Sequence, residues 1–244
     1  MSHVSALGAV SQRRIPRICL VLFALALSAC PELGNGQRRT EIRDFSDFTA
    51  VDNGGDLDVR VEQGETFAVS VAIDENLIDR VEIEVVDGTL RIRTRGQIGS
   101  LVKGPHVRIT MPVLTSARIS GDGDLEAGDF ADTEAVELRI AGDGDLSWRG
   151  DALELTASVN GDGDLQLEGS AEVLDLRVAG DGDAHARGCV AQTARVVING
   201  DGDASVDVRD ELAAKVSGDG DLEVYGKPHF SERTHSGDGD IHVH

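Results

Sequence analysis

The chain has 244 residues, of which 44 are Asp or Glu and 23 are Lys or Arg, for a formal net charge of −21 at neutral pH. So acidic a surface repels phosphate backbones and anionic headgroups, which excludes nucleic acid and an anionic lipid surface as partners and leaves cations and basic proteins. Three cysteines are present, and the positions of two of them rule out an internal disulfide framework, as follows.

The first 29 residues contain no acid, carry Arg13, Arg14 and Arg17 ahead of an apolar run from Ile18 to Leu27, and end in Leu27-Ser28-Ala29-Cys30. This is the pattern of a secretory signal peptide, with an apolar core too short to be a stable membrane span. The last four residues resemble the lipobox of bacterial lipoproteins, which implies cleavage before Cys30 and acylation of its thiol and new amino group. Several acyl chains, at about 0.8 kcal/mol per buried methylene, hold a protein on a membrane durably where one does not. Loss of the three arginines takes the net charge from −21 to −24 (−21 − 3). Cys19 leaves with the peptide and Cys30 carries lipid, so Cys189 has no partner and is expected to be a small buried hydrophobe.

Residues 30–40, the lipidated N-terminus and the stretch Pro31 to Arg39 after it, read as a tether, and residues 41–244 as one domain. Its N-terminal part, 41–116, is β-rich and without helices: Thr66 to Ile73, Val81 to Val86, Thr89 to Thr94 and Val107 to Met111 read as strands, with Asp87-Gly88 a hairpin turn. Within it, Val51-Asp52-Asn53-Gly54-Gly55-Asp56-Leu57-Asp58-Val59 looks like a degraded repeat lacking the first Asp of a pair.

From 117 to 244 the tetrapeptide Gly-Asp-Gly-Asp recurs seven times, starting at Gly121, Gly142, Gly161, Gly180, Gly200, Gly218 and Gly237, at intervals of 18 to 21 residues. A period of that size is the mark of a solenoid. Counting from the first Gly, positions minus four and minus two are apolar, as in Leu138 and Ile140 or Leu176 and Val178. Positions plus four and plus six are apolar too, as in Leu146 and Trp148 or Leu165 and Leu167, while odd positions are mostly polar. This period of two predicts strands with one buried face before and after each motif, glycines at a crowded corner, and aspartates facing solvent. The expected architecture is all-β: a parallel, right-handed β-solenoid with one motif per coil, two per coil being the other register the periodicity allows. In the last repeat Arg233 and His235 replace the apolar pair, as expected of a terminal, capping coil.

These residues resemble the head GIN domain family, a group of secreted or lipid-anchored bacterial β-helical proteins described as auto-transporter adhesins. The resemblance spans about residues 40–244 and rests on Thr40 to Val51, Asp74-Glu75-Asn76-Leu77-Ile78-Asp79, Asp87-Gly88-Thr89-Leu90-Arg91-Ile92 and the spaced Gly-x-Gly-Asp turns. It implies an envelope adhesion or binding module and no shared catalytic set. In the family the turns are commonly Gly-Ser-Gly; here Asp stands at the Ser position in all seven copies, which doubles the charge of the turn column.

Stacking would line Asp122, Asp143, Asp162, Asp181, Asp201, Asp219 and Asp238 into one column and Asp124, Asp145, Asp164, Asp183, Asp203, Asp221 and Asp240 into another, with rungs about 4.8 Å apart. Neighbouring charges at about 5 Å repel by about 0.8 kcal/mol in water, so two such columns carry on the order of 10 kcal/mol before screening. Something must offset a term comparable with a whole domain's stability. Weak, stacked calcium sites would do so with hard oxygen ligands, and hydrated turns with local Asx hydrogen bonds are the plainer account. A transition metal bridging His242 and His244 competes with their being exposed cap residues. For function, the repetitive outward columns favour a non-catalytic, lipid-anchored binding module of the cell envelope over an enzyme. The alternative is a calcium-dependent polysaccharide lyase or hydrolase using the strip with Arg139, Arg149 or Arg177, although only Trp148 and Tyr225 offer rings for sugar stacking.

Overall fold

The computed structural model describes residues 32–104 and 106–244, and the expected signal peptide (1–29) and lipidation site, Cys30, lie outside them. Two short strands, β1 (Glu32–Leu33) and β2 (Arg38–Arg43), open the chain, followed by β3 (Ala50–Asn53), β4 (Val59–Gln63) and β5 (Ala68–Asp74). A 3₁₀ helix, Glu75–Arg80, leads into β6 (Val81–Val86), β7 (Thr89–Thr94), β8 (Ile98–Gly99), β9 (Val107–Met111) and β10 (Ser116–Ile119). Five long strands that bend around the solenoid come next: β11 (Leu125–Ile140), β12 (Leu146–Val159), β13 (Leu165–Val178), β14 (Ala184–Ile198) and β15 (Ala204–Val216). The last coil and its flank are β16 (Leu222–Gly226), β17 (His229–His235) and β18 (Ile241–Val243).

From β10 onward every pairing is parallel and each coil bonds to the next. Leu146 pairs with Leu165, Leu165 with Ala184 and Ala184 with Ala204, which fixes one motif per coil. The inward columns form one continuous core: Ile119, Ile140, Val159, Val178, Ile198 and Val216 are fully buried, as are Leu138, Ala157, Leu176 and Val196. Trp148 is 1% exposed and belongs to this core. Cys189 is buried too, and burial, aided by the charge of Asp151, pushes its thiol pKa up to about 12, so it packs as an inert hydrophobe. Unequal repeat lengths are absorbed away from the motif. Register shifts fall between Ala127 and Thr133, between Gln166 and Glu168, and between Ala186 and Thr193, and in the longest repeat Asp129 and Asp132 take positive φ.

At the motif corner the need for glycine is close approach. A Cβ on Gly142, Gly161, Gly180, Gly200 or Gly218 would lie under 3.0 Å from the carbonyl oxygen of the glycine one coil earlier, and the second glycines stack the same way from Gly144 to Gly239. Positive φ, the other conformation that calls for glycine, occurs only at Gly237 among the fourteen.

The N-terminal part differs from expectation in three ways. Residues 32–40, expected to be a tether, pair into the body: β1 with β8, and β2 antiparallel with β5. The segment 41–116 is not free of helix, since Glu75–Arg80 forms a short 3₁₀ helix that buries Leu77 and Ile78. The degraded repeat is a full rung, with β3 and β4 pairing with β10 and β11, so the solenoid begins before residue 117. Gly55-Asp56-Leu57-Asp58 lies in register with Gly121-Asp122-Gly123-Asp124, so both aspartates are present and the second glycine is what is missing. Leu57 takes the place of that glycine and is buried in the core. Antiparallel strands then close this end: β6 on β7 through the Asp87-Gly88 turn, both residues with positive φ, and β5 between β2 and β9.

Asp74 ties these pieces together. It is fully buried and accepts hydrogen bonds from the backbone of Gly36, Leu101 and Val102 and from the Ser100 hydroxyl. Burial alone would raise its pKa, but the four donors outweigh it and hold the carboxyl below its ordinary value. With the folded-state pKa below the unfolded one of about 3.9, its stabilisation is complete above that pH and is lost as pH falls through the folded pKa. Asp74→Asn, which turns an amide toward those donors, should therefore cost about 2–3 kcal/mol in urea unfolding at neutral pH and flatten the loss of stability below about pH 4. An unchanged acid limb would show that Asp74 does not carry it. Gly163→Ala should cost about 3 kcal/mol or more by the same measurement, because its Cβ meets a backbone that cannot give way, while Ala179→Ser on the exposed side should stay within about 0.5 kcal/mol.

Candidate functional site

The two aspartates of each motif have different surroundings. In the second column, Asp145 N–H donates to Asp124 Oδ1 at 3.0 Å, Asp164 N–H to Asp145 Oδ1 at 2.8 Å, and Asp183 N–H to Asp164 Oδ1 at 2.8 Å. The pattern continues through Asp203, Asp221 and Asp240 at 2.7–2.8 Å. Each of these carboxylates but the last thus caps the amide of the next coil, while the carbonyls of the same column accept from an apolar residue of the preceding coil, as Asp164 O does from Leu146 N–H at 2.9 Å. A hydrogen bond to an ionised acceptor is worth about 1.5–3 kcal/mol, more than the roughly 0.8 kcal/mol of repulsion each carboxylate meets from its neighbour. Backbone amides of adjacent coils therefore offset the charge of this column without an ion. The turns were expected to close by local Asx bonds, and the bonds run between coils instead.

The first column, Asp122, Asp143, Asp162, Asp181, Asp201, Asp219 and Asp238, is exposed and, among the described residues, receives no such bond and no ion pair. It is a line of seven unneutralised carboxylates on a stiff ladder. Among the described residues no group of three or more His, Cys, Asp or Glu is placed to hold a metal ion. A shallow hollow of about 310 Å³ lies beside the second column, lined by Asp124, Asp145, Asp164, Glu126, Gln166 and His185 among others.

The remaining candidates are engaged. Arg139 pairs with Glu137, Arg149 with Asp129 at 2.9 Å and Arg177 with Asp175 at 2.8 Å, so the three arginines that could have completed a lyase-like site are each held by a carboxylate. Of the two rings that could stack on sugar, Trp148 is in the core. Tyr225 has the Arg187 guanidinium 3.9 Å over its ring and the His244 ring stacked on it at 4.6 Å. His242 lies 3.8 Å from Asp221 and His244 bonds Glu223, so each histidine faces an acid of the preceding coil. Arg233, in the terminal coil, spans to Ile241 O at 2.8 Å and lies over Phe230. Sequence reasoning missed the inter-coil role of the second aspartates, because both columns are Asp in all seven copies and only the fold distinguishes them.

Comparison with known proteins fits this geometry. The family profile described as "Putative auto-transporter adhesin, head GIN domain" matches residues 47–228, well over half of the chain. The chain belongs to the head GIN domain family. Solved structures show the same fold: a Bacteroides fragilis protein described as a putative adhesin superposes with a TM-score of 0.79 at 21% identity, over 87% of this chain and 99% of its own. A Parabacteroides distasonis protein described as a putative lipid binding protein gives 0.69 at 23% identity, covering 88% and 100%. A Parabacteroides merdae protein described as a putative adhesin gives 0.63 at 23%, covering 87% and 98%. A search of curated proteins finds no significant match.

The inequality of the columns is measurable. Asp164→Ala removes the acceptor for Asp183 N–H and should lower stability by about 1–2 kcal/mol, whereas Asp162→Ala, one residue from the same glycine, should be neutral or stabilising by a few tenths. Equal losses in thermal unfolding at matched ionic strength would refute the distinction.

Proposed function

We propose that this head GIN protein is a non-catalytic binding module of the bacterial cell envelope, held on a membrane through Cys30 and presenting its acidic column to basic partners. One observation carries the reading: seven first-column carboxylates face solvent, unpaired among the described residues, on a stack whose coil-to-coil spacing is fixed by glycine. Membership of a family described by adhesion supports a binding role, and the lipobox-like Leu27-Ser28-Ala29-Cys30 supports the anchor. A rigid line of like charges raises the local concentration of cations and speeds encounter with positively charged surfaces, an effect that falls with salt.

Calcium enters this reading as one of the cations the first column gathers, since the second column is already satisfied by backbone amides. The test is recovery of partners from envelope extract by the wild-type chain and by a variant with all seven first-column aspartates changed to Asn, in calcium and in chelator. Wild type should retain basic proteins that the variant and high salt release. Equal recovery by both chains would end the proposal, and a requirement for calcium that magnesium does not meet would replace a diffuse cation atmosphere with specific sites.

A further inference from the structure

Half a turn of chain away from the glycine corner, the solenoid carries a second surface of different character. Thr133, Ala152 and Ala171 pair in register across successive coils, and because these inward residues are small the face is dented there. The groove above them encloses about 470 Å³ and runs, through shared Thr133, Glu134 and Leu153, into an adjoining hollow of about 330 Å³. Leu153 is 57% exposed and lines both hollows, Val113 is 50% exposed and lines the second, and Val173, 48% exposed, stands one coil on from Glu154 of that hollow. Three of the seven large hydrophobic residues exposed among the described residues are thus gathered on one face, at sites where the period-two pattern would place polar groups.

Acids surround them. Asp132, Glu134, Asp151 and Glu172 line the first hollow and Glu154 the second, and among the described residues none of the five takes part in an ion pair. Asp151 accepts only the hydroxyl of Ser170. By contrast Glu137 and Asp175, farther along β11 and β13, each have an arginine beside them. An apolar strip with an unneutralised acidic rim is complementary to one chemistry in particular: a cationic segment that carries aliphatic side chains.

We infer that this groove docks an extended segment of a partner protein in which aliphatic residues alternate with Lys or Arg. Aliphatic side chains of the segment rest on Val113, Leu153 and Val173, and its cations reach the rim carboxylates. This rests on the binding-module reading and adds to it the site and the class of partner; the acidic glycine-corner column does not touch the segment and acts on it only through its long-range field.

The probe is a short synthetic peptide of alternating lysine and leucine, with a lysine–serine peptide of equal charge as reference, titrated against residues 31–244, which form a compact unit by themselves. At physiological salt the leucine peptide should bind about tenfold or more tighter than the serine peptide. Leu153→Ser with Val173→Ser should abolish that preference at an unchanged melting midpoint, since both side chains are exposed. Glu134→Gln with Glu172→Gln should weaken both peptides. Asn at the seven first-column positions should lower both affinities equally and leave the preference intact, which separates failure of this inference from failure of the acidic-column reading. Retention of the preference in the Leu153/Val173 variant would overturn the inference. So would loss of the preference in the first-column variant, or peptide-free self-association that the Leu153/Val173 variant abolishes, because a second copy would then be the occupant.

Discussion

Backbone lies directly on backbone at the motif corner, and the rest of the molecule follows from that contact. Each motif glycine stands so close to the carbonyl of the preceding coil that no side chain can be interposed, and the second glycine's N–H still reaches the earlier first glycine's carbonyl, as Gly182 does Gly161 at 3.2 Å. The hydrogen-bonded ladder therefore continues around the bend, where most chains would leave peptide groups to water. Aliphatic columns on either side keep one register, and differences of one to three residues in repeat length are pushed to the opposite side of the coil, where bulges are tolerated.

The same contact gives the two aspartates separate tasks. With coils this close, the second carboxylate is within reach of the amide above it, and the ionised group becomes part of the scaffold. Its neighbour, pointing the same way two residues earlier, finds no amide and stays free to act on solvent, ions or a partner. Bonded and free charge thus alternate along one strip of sequence. Self-repulsion of the free column is tolerated because fully hydrated carboxylates about 5 Å apart cost each other less than 1 kcal/mol once salt is present.

Much of this is readable from the chain because the repeat copies the pattern. Ile119 to Val216 and Leu125 to Leu222 recur at fixed offsets from each motif and lie in the core, and the Asp87-Gly88 pair alone locates a hairpin. What could not be read depends on partners distant in sequence. The Asp164 to Asp183 bond joins residues 19 apart that look alike in the sequence, so nothing local marks one aspartate as structural and the next as free. Asp74 gathers donors from 26 to 38 residues away, and the segment around Gly36 looks like a loose tether until that carboxylate is in place. Leu57 obscures its rung because a leucine stands where the later rungs carry the second glycine of the motif. The exposed Leu153 and Val173 were hidden by the same parity that revealed the core, since two consecutive outward residues break the alternation there.

The most direct measurement of the central claim is residue-resolved amide hydrogen exchange across the seven motifs. If stacked glycines bring each second-column carboxylate onto the amide of the next coil, the N–H groups of Asp145, Asp164, Asp183, Asp203, Asp221 and Asp240 will be strongly protected although their side chains face solvent. Those of Asp143, Asp162, Asp181, Asp201 and Asp219, two residues earlier in each turn, will exchange fast. Equal exchange in both sets would mean that the coils are not locked at the glycine corner, and the division of labour between the two columns would fall with it.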